Sequence, residues 1–260
     1  MKTFFLSLCC LVCTLGNTLF AQTDLAEGSL LLYGALGGKS LGVDGDFVAL
    51  DFTDDSPSRD NITTAVSLTE NNFSFLAGLG ISYFFKDNIE GHIEVNGLFG
   101  QSSGLQFGLG AGYMMPVGNM SLILGLDLGV YSYQKYLGDI INNDLYIQIN
   151  STQIYERSAR TYYSNTCTTL KPNVKLISKD FNGKGWHVFG SVGYDALIAR
   201  GSAKLVFSGE DEGGEVVTDS KEVSSFNFNY FEVDGVSNFD SILDASGVSF
   251  RIGLIKTIGE

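Results

Sequence analysis

The chain has little of what marks several common classes of protein. Only 3 of its 260 residues are proline, 2 are histidine and 17% are charged, whereas an average soluble domain has about 25% charged residues. Basic residues are scarce, 16 Lys and Arg against 29 Asp and Glu, so the formal net charge is −13. Such an acidic chain repels phosphate, which excludes a generic nucleic-acid-binding protein. Low charge together with 12% aromatic residues excludes a disordered chain.

Residues 1–21 predict a secretory signal peptide. A basic start, Met1-Lys2, precedes a mostly apolar stretch to Phe20, and Ala21 provides a small residue for cleavage. Lipidation at Cys13 is an alternative, but Val12 before it is bulkier than such signals usually tolerate. We therefore expect an exported protein that begins at Gln22.

Cysteine and long apolar runs are both scarce beyond the signal peptide. Three of the four cysteines lie before Ala21, which leaves Cys167 alone and excludes an intrachain disulfide. We expect Cys167 to be a small, partly buried residue, with pairing between chains as the alternative. No uncharged apolar run reaches the roughly 18 residues of a membrane helix. An exported chain of this kind is either soluble or crosses a membrane as a closed β-barrel.

Apolar residues alternate with small or polar residues over long stretches, which is the two-residue period of a β-strand. In residues 73–85, one side of the alternation is apolar or aromatic throughout, and the other is mostly serine and glycine. The same pattern recurs in residues 89–99, 105–115 and 120–131, and more faintly in 28–38, 170–176, 186–198 and 248–254. The alternation therefore predicts eight strands, an even number.

The connections between these strands differ in length and charge. The three long connections are residues 39–72, 137–166 and 203–247, and the others are short. Their net charges are −5, −1 and −8, which together equal the −14 of the chain without its signal peptide. Short periplasmic turns and long outer loops are typical of outer-membrane barrels. The predicted fold is all-β, an eight-stranded antiparallel up-and-down transmembrane β-barrel with acidic extracellular loops.

A soluble β-barrel or sandwich is the alternative interpretation of the same alternation. In such a protein the apolar face of each strand would point inward and the other face would meet water. The alternating stretches exceed the usual strand length of about 5 to 6 residues and approach the length that a tilted membrane strand needs. Strand length therefore favours the transmembrane interpretation.

Three features resemble a known family. They are the export signal, the run from Phe73 to Tyr133 with its Lys86-Asp87-Asn88 turn, and the last strand around Val248 to Ile258. Together they resemble the small outer-membrane β-barrel family typified by the OmpA membrane domain, OmpX and the PorT-like proteins. The resemblance implies an integral protein of the outer membrane.

Several ionisable residues fall on the small side of the alternation, which would face the lumen. They are Glu90, His92, Glu94, Asp127, Lys171, Lys175, His187, Asp195 and Arg251. An eight-stranded barrel is just wide enough for side chains to fill its interior, and isolated buried charges are very costly. We expect a structural network of ion pairs that fills the barrel, with a proton- or ion-conducting path as the alternative.

Neither an enzyme nor a metal protein is expected. His92 and His187 are the two imidazoles, and neither lies beside a serine motif suited to nucleophilic catalysis. Carboxylates suited to hard cations cluster in residues 44–46, 54–55 and 210–212, but none has the spacing of a calcium loop. We expect a solvated acidic surface and no cofactor, with cations bridging to lipopolysaccharide as the alternative.

The sequence therefore predicts a monomer in the cell outer membrane with a structural or surface-interaction role. Its wall would contact outer-membrane lipid and lipopolysaccharide, and its acidic loops would contact an extracellular ligand or protein. A narrow transport conduit for small solutes and a soluble secreted barrel or adhesin are the alternatives. Conductance would identify the first alternative, and extraction from membranes by carbonate would identify the second.

Overall fold

A computed structural model describes residues 25–43, 47–53, 61–67, 73–100, 102–141, 145–155, 158–222 and 243–258. The predicted signal peptide and the acidic segments 44–46 and 54–55 lie outside these residues. Across the described ranges, no helix has the length and apolar character needed to span a membrane.

Eight long antiparallel strands form a closed ring. Each strand pairs with the next along the chain, and the last also pairs with the first, as in the partners Tyr33 and Ile255. The predicted all-β antiparallel class and its eight strands are confirmed. We number the ring strands β1 (Leu30–Ser40), β2 (Phe73–Lys86), β3 (Ile89–Phe99), β4 (Ser102–Val117), β5 (Met120–Ile141), β6 (Ser158–Ser178), β7 (Trp186–Arg200) and β8 (Gly247–Ile258).

Two ring strands run far beyond their predicted bounds. β5 continues to Ile141 and β6 begins at Ser158, so much of the predicted loop 137–166 is strand. The alternation persists there, with Tyr133 and Tyr163 buried inside, but the outward residues become polar, such as Gln134. The sequence interpretation required an apolar outward face and therefore ended β5 too early and began β6 too late.

The extended strands belong to a folded cap at the long-loop end of the ring. Strand Lys204–Glu210 pairs with β6, and strand Val216–Glu222 pairs with it in turn, which gives a ten-stranded sheet. Asn150, in the hairpin of Ile147–Ile149 and Thr152–Ile154, donates hydrogen bonds to Asp219 Oδ1 (3.1 Å) and to the carbonyl of Ser220 (3.3 Å). Two further strand pairs are Gly42–Val43 with Leu243–Asp244 and Phe47–Thr53 with Asn61–Ser67.

The two faces of the ring have the reverse polarity of a soluble sheet. Leu79, Ile93 and Leu126 point outward with 72%, 62% and 51% of their surface exposed. On alternate positions, Glu94 and Asp127 point inward and are buried. Because side chains alternate between faces along a strand, the ring has an apolar outer wall, and its buried charged side chains point inward.

The interior is stacked in three layers. Nearest the short turns is the base layer, an apolar cluster that includes Phe84, Met114 and Phe189. Under the cap is the cap layer, an apolar cluster that includes Leu98 and Tyr133. The buried charged side chains between these clusters form the ion layer, which is thus closed at both ends by apolar side chains.

Asp180 holds the turn between β6 and β7. Its carboxylate accepts hydrogen bonds from the backbone N–H groups of Asn182 (3.0 Å), Gly185 (2.5 Å) and Trp186 (3.3 Å). These bonds, that from Asn182 foremost, lower the pKa of the Asp180 carboxyl below its ordinary value. A carboxyl group whose pKa is lowered in the folded state stabilises that state at pH values above the ordinary pKa of the group. The contribution is lost as the pH falls through the lowered pKa.

The substitution Asp180→Asn tests this role of the turn carboxylate. The amide has one acceptor oxygen and no charge, so we expect weaker amide protection at Gly185 and Trp186 at neutral pH. In the unsubstituted protein this protection should fall only in acid, below the ordinary aspartate range, and in the variant it should not depend on acid. Hydrogen exchange of residues 179–186 across the acid range measures both. Equal protection in the two proteins would contradict the assignment.

Candidate functional site

The ion layer is the candidate functional site, and the structure buries all nine residues predicted to face the lumen. Seven of them lie in one connected set, and the other two lie in separate positions. The connected residues are Glu90, His92, Glu94, Asp127, Lys171, Lys175 and Arg251. The set contains three carboxylates and three basic side chains besides the histidine, so its formal charges balance when the imidazole is neutral.

Glu94 on β3 is the centre of the ion layer. Its Oε1 lies 3.0 Å from Lys171 Nζ, and its Oε2 lies 2.5 Å from Arg251 Nη1. Asn96 donates to Oε1 at 3.1 Å, and the Tyr33 hydroxyl donates to Oε2 at 3.3 Å. Four side chains thus replace the water that this carboxylate would have in solution, which buried charge requires.

His92 connects two further carboxylates to this centre. Its Nε2 lies 3.1 Å from Asp127 Oδ1, and its Nδ1 lies 3.5 Å from Glu90 Oε1. Lys171 reaches Asp127 Oδ2 at 3.0 Å, and Lys175 reaches Glu90 Oε1 at 2.7 Å. The ion pairs of the two lysines and the two contacts of His92 therefore link Glu90 to Glu94 without a break.

Asp195 lies outside the connected set, in a second ion pair nearer the cap. Lys39 Nζ lies 2.6 Å from Asp195 Oδ2, and both side chains are fully buried. The Tyr131 hydroxyl donates to Asp195 Oδ1 at 2.9 Å, and the Thr169 hydroxyl donates to the same oxygen at 3.0 Å. The sequence interpretation missed Lys39 because it assigned this residue to the loop 39–72. Lys39 is on the same side of the two-residue alternation of β1 as Leu31 and Tyr33, and this position could have identified it.

His187 is also separate from the ion pairs. It is buried near the short turns, where its Nδ1 lies 2.9 Å from the carbonyl of Ser178 and its Nε2 lies 3.1 Å from Thr257 Oγ1. Both ring nitrogens thus contact neutral oxygens. This geometry suits a histidine that ties β7 to its neighbouring strands.

Inward-facing glycines make the room that the ion layer occupies. A Cβ on Gly108 would lie 2.7 Å from Glu94 Cγ, and a Cβ on Gly110 would lie 2.6 Å from His92 Nε2 and still closer to Asp127. Asn96 lies directly over Gly78 in the same way. These three glycines therefore have a steric function, because each leaves space that a polar side chain of the interior occupies.

The arrangement in the ion layer can fill and stiffen the ring, but its free volume is very small. A cavity of about 10 Å³ lies among Tyr33, His92, Glu94 and Arg251, which is room for about one water molecule. Among the residues that the structure describes, no three His, Cys, Asp or Glu are grouped so as to hold a metal ion.

Comparisons with known proteins give only distant matches. No family model matches the chain, and no curated protein matches it. Among solved structures, it is similar to the outer membrane protein OprG from Pseudomonas aeruginosa, with 12% identity and a TM-score of 0.44, covering 91% of this chain and 98% of that one.

Two other solved structures are less similar. A major outer membrane protein from Thermus thermophilus has 11% identity and a TM-score of 0.37, covering 88% of this chain and 99% of that one. The outer membrane protease OmpT from Escherichia coli has 10% identity and a TM-score of 0.28, covering 94% and 100%. All three TM-scores lie below 0.5.

Proposed function

We propose that this chain is a transmembrane β-barrel of a bacterial outer membrane, that its lumen is closed, and that it acts through its surfaces. The reversed polarity of the ring carries the proposal. A soluble protein would expose the wall of Leu79, Ile93 and Leu126 to water and would enclose Glu94 and Asp127. Soluble monomers rarely expose a contiguous apolar patch larger than a few hundred Å², and lipid removes that cost.

The hydrogen-bonding of the ring supports the same environment. A bilayer core offers no water to unpaired backbone groups, so only helices and closed sheets can cross it. Pairing of β8 with both β7 and β1 closes the sheet, and the paired strands are long enough to span the hydrocarbon core when tilted. The outer membrane is the location consistent with an exported chain of this kind.

The three-layer interior favours a structural or surface role over a conduit. A solute would have to pass the cap layer, the ion layer and the base layer, and each is packed with buried side chains. Opening the ion layer would separate charges such as those of Lys171 and Glu94, which are 3.0 Å apart. That separation is costly in a low-dielectric interior.

The folded cap is the surface through which we propose that the protein contacts an extracellular ligand or protein. Its apolar core includes Ile147, Leu205 and Phe207, which are buried. The cap is therefore a folded substructure with a defined surface. The acidic turn 210–212 supports a solvated surface, because the Asp211 carboxylate accepts the backbone N–H groups of Gly213 (2.8 Å) and Glu215 (3.0 Å). The carboxylate of Asp211 therefore stabilises the turn through hydrogen bonds to its backbone.

Membrane extraction and conductance together test this function. We expect the protein to remain in membranes after carbonate washing, and to migrate anomalously in detergent gels until it is boiled. In planar bilayers it should give no discrete channels under conditions in which a known porin conducts. Release by carbonate would overturn the membrane assignment, and steady unitary conductance would overturn the closed lumen.

A further inference from the structure

A cluster of lysines and aromatic rings lies at the short-turn end of the ring, outside the ion layer. We call it the basic turn; it consists of Lys179, Phe181, Lys184, Trp186 and Lys256. Four of these residues lie in or beside the turn that Asp180 organises, and Lys256 lies on the neighbouring strand β8. No role in the ion layer or the cap accounts for them.

The structure fixes the positions of these groups. Lys256 Nζ donates to the carbonyl of Lys184 and lies 5.8 Å from the centre of the Trp186 ring. The backbone N–H of Thr257 donates to the carbonyl of Gly185 at 2.8 Å, which ties the turn to β8. Two N–H groups of the Lys256 ammonium remain for other acceptors, since an ammonium has three donors.

The charge of the basic turn is opposite to that of the chain. The net charge of the whole chain is −13, yet residues 179–186 contain two lysines and one aspartate, and Lys256 joins this turn through the carbonyl of Lys184. That aspartate, Asp180, is occupied by three backbone N–H groups. The turn therefore offers cationic donors, which are complementary to a phosphate group.

An apolar path leads from these cations along the outer wall. Phe181 and Trp186 are 59% and 37% exposed, and aromatic rings of this kind favour the membrane interface. Next along the wall, Val188 and Leu254 are register partners on β7 and β8, and both are exposed. A molecule bound here would meet cations at one end and a hydrocarbon surface beyond them.

We propose that the basic turn binds an anionic phospholipid of the periplasmic leaflet. The phosphate of its headgroup lies between Lys184 and Lys256, its glycerol region lies against Trp186, and one acyl chain follows Val188 and Leu254. This inference rests on the proposed function, because it requires the outer wall to lie in a bilayer with the short turns on the periplasmic side.

Trp186 is the one tryptophan of the chain, so its fluorescence reports on this site alone. The experiment reconstitutes the full protein in bilayers that contain brominated phosphatidylglycerol or brominated phosphatidylcholine, each of which quenches a nearby indole. Quenching against lipid fraction gives the relative binding constant of the two lipids. We expect phosphatidylglycerol to be favoured about fivefold. A lysine near an anionic membrane surface contributes about 1 kcal/mol, which corresponds to a factor of about five in the binding constant. High salt should reduce the preference.

The double variant Lys184→Gln with Lys256→Gln should bring the relative constant close to one, and the control Lys204→Gln, at the cap end, should leave it unchanged. A preference that persists in the double variant would overturn the inference, as would equal quenching by both lipids in the unsubstituted protein. Loss of the preference on adding inorganic phosphate, where sodium chloride of the same ionic strength leaves it in place, would mean a free-phosphate site and would also overturn it. Heat-modifiability of every variant is measured in parallel. Failure of the proposed function is distinct, because it would remove both the gel shift and all quenching by brominated lipid.

Discussion

The substitution Glu94→Gln is expected to destabilise the protein by about 3–5 kcal/mol, the range for removing one partner of a buried ion pair. Glutamine keeps the shape of the side chain and removes its charge. Lys171 retains Asp127 at 3.0 Å, whereas Arg251 loses its ion-pair partner at 2.5 Å. Because Arg251 is buried, the lost attraction leaves an arginine whose desolvation is no longer offset.

Urea unfolding of the protein in lipid vesicles measures this effect, with the gel shift as the second readout. Glu215→Gln is the matched control, because Glu215 is exposed at the tip of the cap and a solvated charge should contribute less than about 1 kcal/mol. The double variant Glu94→Gln with Arg251→Gln should be less destabilised than the sum of the two single variants. Additive effects would show that the two side chains do not act as a pair.

The inward position of the ion-layer residues could be predicted because it depends only on local alternation. Glu94 and Asp127 each lie among outward-facing apolar neighbours, so their side of the strand is set by counting. Their partners could not be predicted in this way. Glu94 on β3 meets Arg251 on β8, a pairing that depends on the closure and stagger of the whole ring. The sequence contains no local signal for that contact.

The cap was not predicted from the sequence, for a different reason. In the outer wall of β5, apolar residues such as Leu126 and Val130 give way to Ser132 and Gln134, while inward Tyr133 remains buried. We interpret this change as the exit of the strand from hydrocarbon into water. The alternation then resembles that of an ordinary soluble sheet, with its apolar face inside. A search for strands that allows this reversal of polarity would have extended β5 and β6 into the cap.

The ion layer depends on several inward-facing glycines in strands that otherwise favour larger residues. A glycine inside a strand normally weakens it, because it loses more conformational freedom and has no side chain to pack. Here the absent side chain is volume that a charged neighbour fills, as Glu94 does over Gly108. Adding a methyl group at such a position should therefore cost stability, although alanine favours an ordered backbone more than glycine does.

Gly110→Ala is the sharpest form of this test. The new methyl group would overlap Asp127 Oδ1 and lie 2.6 Å from His92 Nε2, and Lys171 and Asn173 already hold Asp127 in place. We expect the free energy of unfolding to fall by about 1–3 kcal/mol, the usual cost of overpacking a core.

Gly190→Ala is the control, since Gly190 faces the outer wall and its Cβ would meet nothing closer than 3.9 Å. That change should be neutral or stabilising by up to about 1 kcal/mol. Urea midpoints in vesicles compare the two variants. If both lower the midpoint equally, the ion layer does not need the space that Gly110 leaves.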